Sequence, residues 1–303
     1  MDSWSDGTKY KYCKPLEDWF NFCTSKNVTA LNTTSQYAIE FLMSYYHKGL
    51  GYSAINNARS ALSTIVVNPS GVSIGKDPLV CRFLKGVFRK RPSLPRYVYT
   101  WDVTIIFNYM RSLPPLLNLT LKQLTLSLTI LLFLLSGNRC QAVHLYDLKH
   151  CHKTHNSYTF SLPSILKTTK PGKHLDPVIY TGYPYDKKLC VYLHLTEYIS
   201  RTREIRGVYT PLLISYVKPH KPVVKDTVAR WVTKIMQTAG IDTSIFAPHS
   251  TRSASTSAAF RQGCPMQTIL KAGGWSQEGT FLKYYNKPVL DTLPGSILPA
   301  QTP

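Results

Sequence analysis

The sequence predicts a mainly helical α+β protein built of two domains, the second of which carries a small β-hairpin. Three observations support this fold class. Apolar residues recur at three- and four-residue steps through the first ~90 residues, which is the period of an amphipathic helix. A basic stretch with two prolines, Arg89 to Arg96, then interrupts the pattern as a linker would. Beyond it, two β-prone stretches flank Pro171-Gly172, which is a turn signal.

The first domain, residues 1–90, is predicted to hold four helices. Three of them carry apolar stripes, in chain order Leu16, Trp19, Phe20 and Cys23; Ile39, Phe41, Leu42 and Tyr45; and Ile55, Ala58, Leu62, Ile65 and Val66. Ser53 is expected to cap the third helix, because serine favours N-cap positions, and Arg59 lies on the polar face of that helix. A fourth helix is predicted over Val80–Phe88, and residues 91–99 form the basic linker.

The second domain, residues 100–303, is predicted to be mixed. Helices are expected over Asp102–Leu113, Leu121–Leu135, Arg139–Leu145, Asp186–Arg203 and Asp226–Ala239, and three more are expected after Pro248, Pro265 and Ser276. The two strands of the hairpin are predicted over Tyr158–Lys167 and Leu175–Thr181. The most apolar run, Leu124 to Leu135, is too short to span a bilayer and predicts a buried helix.

The charge of the chain indicates a polyanionic partner. Lys and Arg number 36 against 16 Asp and Glu, which gives a formal net charge of +20. Each phosphate that such a protein neutralises releases counterions, so nucleic acid is favoured. An anionic membrane is the other candidate, but we find no basic amphipathic anchor and no lipidation motif. The odd count of 7 cysteines and the polar N-terminus without a signal peptide indicate a reducing compartment.

The last third of the chain groups residue types that suit phosphate chemistry. His249 and Arg252 are three residues apart at a predicted helix start, so they share one face. A guanidinium grips two phosphate oxygens at once, and an imidazole can donate to the same phosphate or move protons. A helix that begins at Pro265 ends at Gly273-Gly274 and presents Trp275, whose indole N–H is a further donor.

The final helix, which Ser276 is expected to cap, carries two adjacent phenols, Tyr284 and Tyr285. The whole segment, "PHSTRSASTSAAF…ILKAGGWSQEGTFLKYYNKP", resembles the tyrosine recombinase (phage integrase) family, and its wording is similar to recombinases of eukaryotic mobile elements of the DIRS, Ngaro and Crypton kind. The resemblance extends from about Thr100 to Pro288. It implies a helical core-binding domain followed by a tyrosine recombinase catalytic domain.

The same resemblance implies further catalytic residues. Arg139, in "LLSGNRCQAV", fits the first arginine of the family, which follows a buried helix. Lys167, in "ILKTTKPGK", fits the catalytic lysine of the hairpin, with Lys170 and Lys173 as alternatives. Tyr285 is our choice of nucleophile from the wording "TFLKYY", and Tyr284 is the alternative.

The implied function is cleavage and rejoining of double-stranded DNA through a 3′-phosphotyrosine, by a homotetramer on DNA that needs neither metal nor small-molecule cofactor. Together with the basic run, the hosts of the resembled elements imply a nuclear protein. Residues expected to contact DNA are basic and lie on the first domain, the linker or the hairpin tip: Arg59, Arg89, Lys90, Arg91, Arg96, Lys170 and Lys173.

Three alternatives remain at this point. A domesticated DNA-binding protein would lack the cleavage reaction, and a type IB topoisomerase would share it without site preference. A zinc site is the third, because six potential ligands are crowded together: Cys140, His144, His150, Cys151, His152 and His155. Their spacing matches no common pattern of paired zinc ligands, so we interpret the segment as a polar loop with no metal.

Overall fold

The computed structural model describes residues 4–95, 97–163, 169 and 176–289. The chain divides after Pro95 into two compact units. The predicted fold class is confirmed, because the described residues are mainly helical and include one small antiparallel sheet. Within the described residues, no helix combines the length and the hydropathy that crossing a membrane requires.

The first unit is a group of four helices around one core. They are α1 (Asp6–Lys26), α2 (Ser35–His47), α3 (Tyr52–Leu62) and α4 (Pro78–Lys90), with a 3-10 turn at Ile74–Lys76. Trp19 is fully buried at the centre, where its ring meets that of Phe41 edge-on at 5.2 Å. Its indole nitrogen donates to the carbonyl of Ala30 at 2.8 Å, so the buried polar atom is satisfied.

The start of α3 corrects one prediction. Ser53 was expected at the N-cap, but α3 begins at Tyr52 and Gly51 occupies the cap with extended backbone. Ser53 therefore lies inside the first turn. Glycine and serine are both favoured at N-caps, so the sequence alone does not decide between Gly51 and Ser53. Helix α4 has an aspartate at its N-cap, a favoured residue there, and the Asp77 carboxylate accepts from the backbone N–H of Leu79 at 2.9 Å.

The second unit is organised around one buried helix, α6 (Leu121–Ser136). The other helices are α5 (Thr104–Ser112), α7 (Cys140–His144), α8 (Val191–Thr202), α9 (Lys225–Thr238), α10 (Ser250–Arg261), α11 (Met266–Gly273) and α12 (Glu278–Tyr284), with 3-10 turns at Leu116–Asn118 and Leu148–His150. Helices α8, α9 and α10 pack around α6. This burial on several sides explains why α6 is apolar around almost its whole circumference.

Both ends of α6 are fixed locally. Thr120 and Gln123 form a capping box at its start. Gly137 ends it with a φ of +59°, a left-handed conformation that L side chains adopt at a cost. A side chain at Gly137 would also press on Thr256 of α10, 3.1 Å from the added carbon. The chain therefore leaves α6 in a fixed direction, and Arg139 follows as the N-cap of α7.

The sheet has the order β1-β2-β3 and is antiparallel throughout. Strand β2 (Ser157–Phe160) pairs with β3 (Val178–Thr181), as the hairpin prediction requires, although both are shorter than predicted. Strand β1 (Cys151–Lys153) corrects the interpretation of this segment as a polar loop. Its last two residues are exposed, so it lacks the alternation that would have marked it as a strand. The predicted catalytic lysine, Lys167, lies outside the described residues.

Helix α8 begins at Val191 and not at Asp186 as predicted. The Asp186 carboxylate instead accepts from the backbone N–H of Lys188 at 3.0 Å and pairs with Arg111 at 2.8 Å. An aspartate that bonds its own backbone two residues on stabilises a turn and competes with helix formation. The apolar periodicity of α8 does not reveal this turn, so the predicted start is five residues too early.

Candidate functional site

The guanidinium of Arg252 is the centre of the site. It is only 1% exposed, on the first turn of α10. One terminal nitrogen donates to the carbonyl of Gly137 at 2.9 Å, and the other donates to the carbonyl of Gly273. The Nε atom has no hydrogen-bond partner among the described residues. Arg252 thus joins the end of α6 to the end of α11 and keeps an unused donor inside the site.

Two aromatic rings lie over this guanidinium. The Arg252 Cζ atom is 4.0 Å from the ring centroid of Trp275 and 5.1 Å from that of Tyr285. The two rings are themselves 4.5 Å apart. A cation beside aromatic faces is stabilised electrostatically, more so when it is desolvated. Trp275, predicted as a phosphate donor, therefore also fixes the plane in which Arg252 presents its nitrogens.

Arg139 brings a second positive charge to the same place. It is half-buried at the N-cap of α7. Burial and then the charge of Arg139 lower the pKa of Arg252 to about 10, while the neighbouring Tyr285 phenol acts in the opposite direction. Arg252 remains protonated at pH 7. Within the described residues, no carboxylate forms an ion pair with either arginine. Two neighbouring positive charges without a described ion-pair partner favour the binding of an anion.

His249 adds a titratable group beside the two arginines. It is the N-cap of α10, and its ring centroid is 6.1 Å from that of Tyr285. The helix start is held by Trp101, whose indole donates to the Ser250 hydroxyl at 2.9 Å. His249 as a whole reaches solvent, yet desolvation of its imidazole, followed by the charges of Arg252 and Arg139, lowers its pKa below the usual 6.5.

We expect His249 to be neutral at pH 7 in the folded protein. Removing one of the nearby positive charges with Arg139→Gln should raise the pKa of His249, whereas Arg139→Lys should leave it low. Because the unfolded state binds this proton more readily, the stability that neutral His249 contributes is lost as the pH falls below 6.5. An NMR titration of the imidazole in both variants checks this. An unchanged pKa in Arg139→Gln would contradict the proximity of these groups.

The turn after α11 explains why glycine occurs twice in Gly273-Gly274-Trp275. Gly274 ends α11 with a φ of +60°. A side-chain carbon at Gly273 would lie 2.0 Å from Cζ3 of Trp275. The backbone N–H of Trp275 donates to the carbonyl of Leu270 at 2.9 Å, which holds the ring against Gly273. The pair therefore serves the placement of the indole over Arg252.

Gly273→Ala should displace the Trp275 ring and destabilise the second unit by about 1–3 kcal/mol, the usual cost of overpacking. Gly279→Ala is the matched control, because a side chain at that helical position meets nothing within 4 Å. Chemical denaturation of both variants measures the difference. Equal stability of the two variants would show that the position of the Trp275 ring does not require a glycine at residue 273.

The two candidate tyrosines differ sharply in environment. Tyr285 is half-buried just past the end of α12 and contacts Arg252, Trp275 and His249. Tyr284 is 58% exposed. A cavity of about 310 Å³ opens beside them and is lined by Tyr97, His249, Ser253, Thr280, Tyr284 and Tyr285.

The start of α12 corrects another prediction, since Gln277, and not Ser276, occupies the N-cap.

The predicted DNA-contacting residues fall into three groups. Arg89 and Lys90 are exposed on the last turn of α4. Arg59 and Arg91 are half-buried and already donate to their own unit, Arg59 to the carbonyl of Gly75 and to Asn56, Arg91 to the carbonyls of Tyr46 and Leu50. Arg96, Lys170 and Lys173 lie outside the described residues.

Sequence reasoning missed two basic residues that α4 presents beside Arg89. Arg82 and Lys85 are exposed, and together with Arg89 they line a cleft of about 620 Å³ on the first unit. The three side chains are spaced by three and four residues, so they share one face of the helix. The spacing is present in the sequence, where the apolar stripe of the same helix is the stronger pattern.

The cysteine and histidine cluster is dispersed in the fold. Cys140 and His144 lie on α7, and His150 ends the 3-10 turn that precedes β1. Cys151, His152 and His155 lie at or beyond the start of β1. The Cys140 thiol donates to the carbonyl of Lys225 at 3.3 Å, and burial raises its pKa to about 11. Among the residues that the structure describes, no group of three or more His, Cys, Asp or Glu side chains could hold a metal ion.

Comparison with known proteins gives a result for structure alone. No protein-family model and no curated protein sequence matches the chain. The XerH site-specific recombinase in a pre-cleavage complex with its difH substrate matches with a TM-score of 0.61 and 16% identity, over 91% of this chain and 74% of that one. The Tn1549 transposon integrase in complex with transposon right end DNA matches with a TM-score of 0.54 and 14% identity, over 88% of this chain and 84% of that one.

A lambda integrase dimer bound to a COC′ core site matches with a TM-score of 0.53 and 13% identity, over 96% of this chain and 92% of that one. At such identities the likeness concerns the course of the backbone. The matches cover 88–96% of this chain. The chain therefore has the fold of the tyrosine recombinases.

Proposed function

We propose that this protein is a site-specific DNA recombinase or integrase that cleaves and rejoins DNA through a 3′-phosphotyrosine intermediate. One observation supports this above all others: the guanidinium of Arg252, which has no described ion-pair partner, lies 5.1 Å from the ring centroid of the half-buried Tyr285. The charge of Arg139 acts on the same guanidinium. A protein that only binds DNA would need the positive charges but no nucleophile beside them. A phenol among them suits nucleophilic attack on the phosphate that the cations attract.

In the proposed reaction the Tyr285 oxygen attacks phosphorus, an oxygen–phosphorus bond forms, and the bond from phosphorus to the 5′-oxygen breaks. A neutral phenol is a weak nucleophile, so Tyr285 must lose its proton as it attacks. Arg139 and Arg252 stabilise the extra charge on the pentacoordinate phosphate. His249, neutral at pH 7, is the nearby group that can accept the phenol proton.

The departing 5′-oxygen requires a proton, and we propose Lys167 as its source, with Lys170 and Lys173 as alternatives. A 5′-hydroxyl from a second strand then attacks the phosphotyrosine and releases Tyr285. The energy of the broken phosphodiester is retained in the ester, so the proposed cycle uses no nucleotide triphosphate. Its positive charge comes from guanidinium groups, so it uses no metal.

The substrate and the assembly follow from the same chemistry. The net charge of +20 and the basic face of α4 favour double-stranded DNA bound mainly through phosphates. Exchange between two duplexes requires four cuts, which we propose a homotetramer performs. A lambda integrase tetramer bound to a Holliday junction shares the fold with a TM-score of 0.52. We further propose a nuclear recombinase of a DIRS, Ngaro or Crypton type mobile element, from the resemblance of residues 249–288.

A library of nicked duplexes with randomised arms tests the proposal without a known target. When the protein cleaves a few nucleotides to the 5′ side of a nick in the same strand, the short 5′-hydroxyl fragment between the two breaks dissociates. Religation is then prevented, so the covalently trapped duplexes survive detergent and can be sequenced. A covalent adduct enriched for one sequence supports a site-specific recombinase. Sequence-independent adducts with relaxation of supercoiled plasmid would establish a topoisomerase, and salt-sensitive binding with no adduct would establish a DNA-binding protein.

A further inference from the structure

The backbone carbonyl of Tyr285 is held by two serines of α10. The Ser253 hydroxyl donates to this oxygen at 2.6 Å and the Ser257 hydroxyl donates to it at 2.8 Å. Both serines are buried, with exposures of 3% and 0%. A carbonyl oxygen has two lone pairs, so the pair of serines, called the serine clamp below, fills its acceptor capacity.

The segment that follows Tyr285 is fastened to the same unit. The Ser257 hydroxyl accepts from the backbone N–H of Lys287 at 3.0 Å, so one hydroxyl fixes two points of the segment. The Lys287 ammonium donates to the carbonyl of Tyr97 at 2.6 Å and lies 4.1 Å from the centroid of its ring. The backbone N–H of Thr100 donates to the carbonyl of Pro288 at 2.8 Å.

The clamp and the anion site share one helix. Arg252 and Ser253 are adjacent on α10, and His249 caps it. Helix α12, which brings Tyr285, has only seven residues and contributes one buried residue, Phe281, to its anchoring. So short a helix gives little positional control by itself. The two bonds from α10 therefore help to fix the distance between the phenol of Tyr285 and the guanidinium of Arg252.

We propose that Ser253 and Ser257 are positioning residues that hold Tyr285 beside the guanidinium of Arg252. This inference rests on the proposed function. In the alternative, the segment that carries Tyr285 would enter the site of a neighbouring protomer. That exchange would break the serine clamp, the Lys287 contacts and the Thr100 contact together. Each of these joins the segment to the unit that carries Arg252.

The first test compares Ser253→Ala/Ser257→Ala with Ser255→Ala, using a nicked duplex recovered from the library. Ser255 lies on the same helix and donates only to the Arg252 carbonyl within it. We expect the clamp variant to form adduct roughly tenfold to a hundredfold more slowly at saturating DNA, the effect of a misplaced nucleophile, with DNA affinity unchanged. Ser255→Ala should match the wild type. Wild-type rates in the clamp variant would overturn the positioning role.

The second test needs no clamp variant and so does not depend on its folding. Tyr285→Phe, which keeps the arginines, is mixed with Arg139→Ala, which keeps the tyrosine, at DNA concentrations that load both. If Tyr285 acts only in the site of its own chain, the mixture should give no more adduct than either variant gives alone. Recovery of adduct in the mixture would overturn it. Absence of adduct from the wild type would instead contradict the proposed function, so the two failures are distinguishable.

Discussion

Tyr285→Phe is expected to abolish covalent attachment to DNA, whereas Tyr284→Phe is expected to retain it. Loss of the phenol oxygen leaves no atom that can form the bond to phosphorus, so the decrease should reach the detection limit of the assay. Tyr285 lies beside both Arg252 and Trp275, while Tyr284 is 58% exposed. The adduct yield on the nicked duplex, measured for the two variants in parallel, checks the assignment.

The two substitutions remove the same atom from adjacent residues, so each is the control for the other. DNA affinity should be equal in both, because phosphate contact depends on the basic side chains. Adduct that disappears in Tyr284→Phe and persists in Tyr285→Phe would show that the helix end rearranges on DNA. It would also remove the reason to regard the serine clamp as a positioning device.

Arg252→Lys is expected to lower the rate of adduct formation by a factor on the order of 10²–10³, as loss of a preorganised donor to a transition-state charge does. Lysine keeps the charge but presents one nitrogen in place of a planar fork. A single ammonium nitrogen cannot occupy at once the positions of the two terminal nitrogens that bond Gly137 and Gly273 and the position of the free Nε. Single-turnover rates on the nicked duplex measure the loss.

The matched control is Arg230→Lys, an exposed arginine of α9 in the same unit, whose described hydrogen bond is to Thr227 one turn away. It should leave the rate unchanged. The thermal midpoint of Arg252→Lys should be recorded as well, because a buried lysine is costly when its charge is unpaired. A rate within a few fold of the wild type would show that charge alone is required, and the fixed fork of Arg252 would lose its role.

Local patterns were enough to predict part of the site. His249 and Arg252 are three residues apart, and a helix converts that spacing into a shared face whatever the rest of the fold does. The glycine pair before Trp275 likewise acts within one turn. The convergence of Arg139 with Arg252 is different, since 113 positions separate them in the chain. It followed from the family resemblance, and no periodicity could have supplied it.

The errors have equally specific causes. Strand β1 was missed because two of its three residues are exposed, and the start of α8 was misplaced because Asp186 forms a turn. Ser253 and Ser257 had no signal at all, since their partner is a backbone carbonyl 28–32 residues away. Serine in a helix is unremarkable until its tertiary contact is known.

Locating the DNA on the protein tests the central claim most directly. The covalent complex formed by the wild type on the nicked duplex is digested with nuclease and protease, and tandem mass spectrometry identifies the residue that carries the remaining nucleotide. The account predicts a 3′-nucleotide esterified to the oxygen of Tyr285. A nucleotide on any other residue, or one joined through its 5′-phosphate, would contradict it.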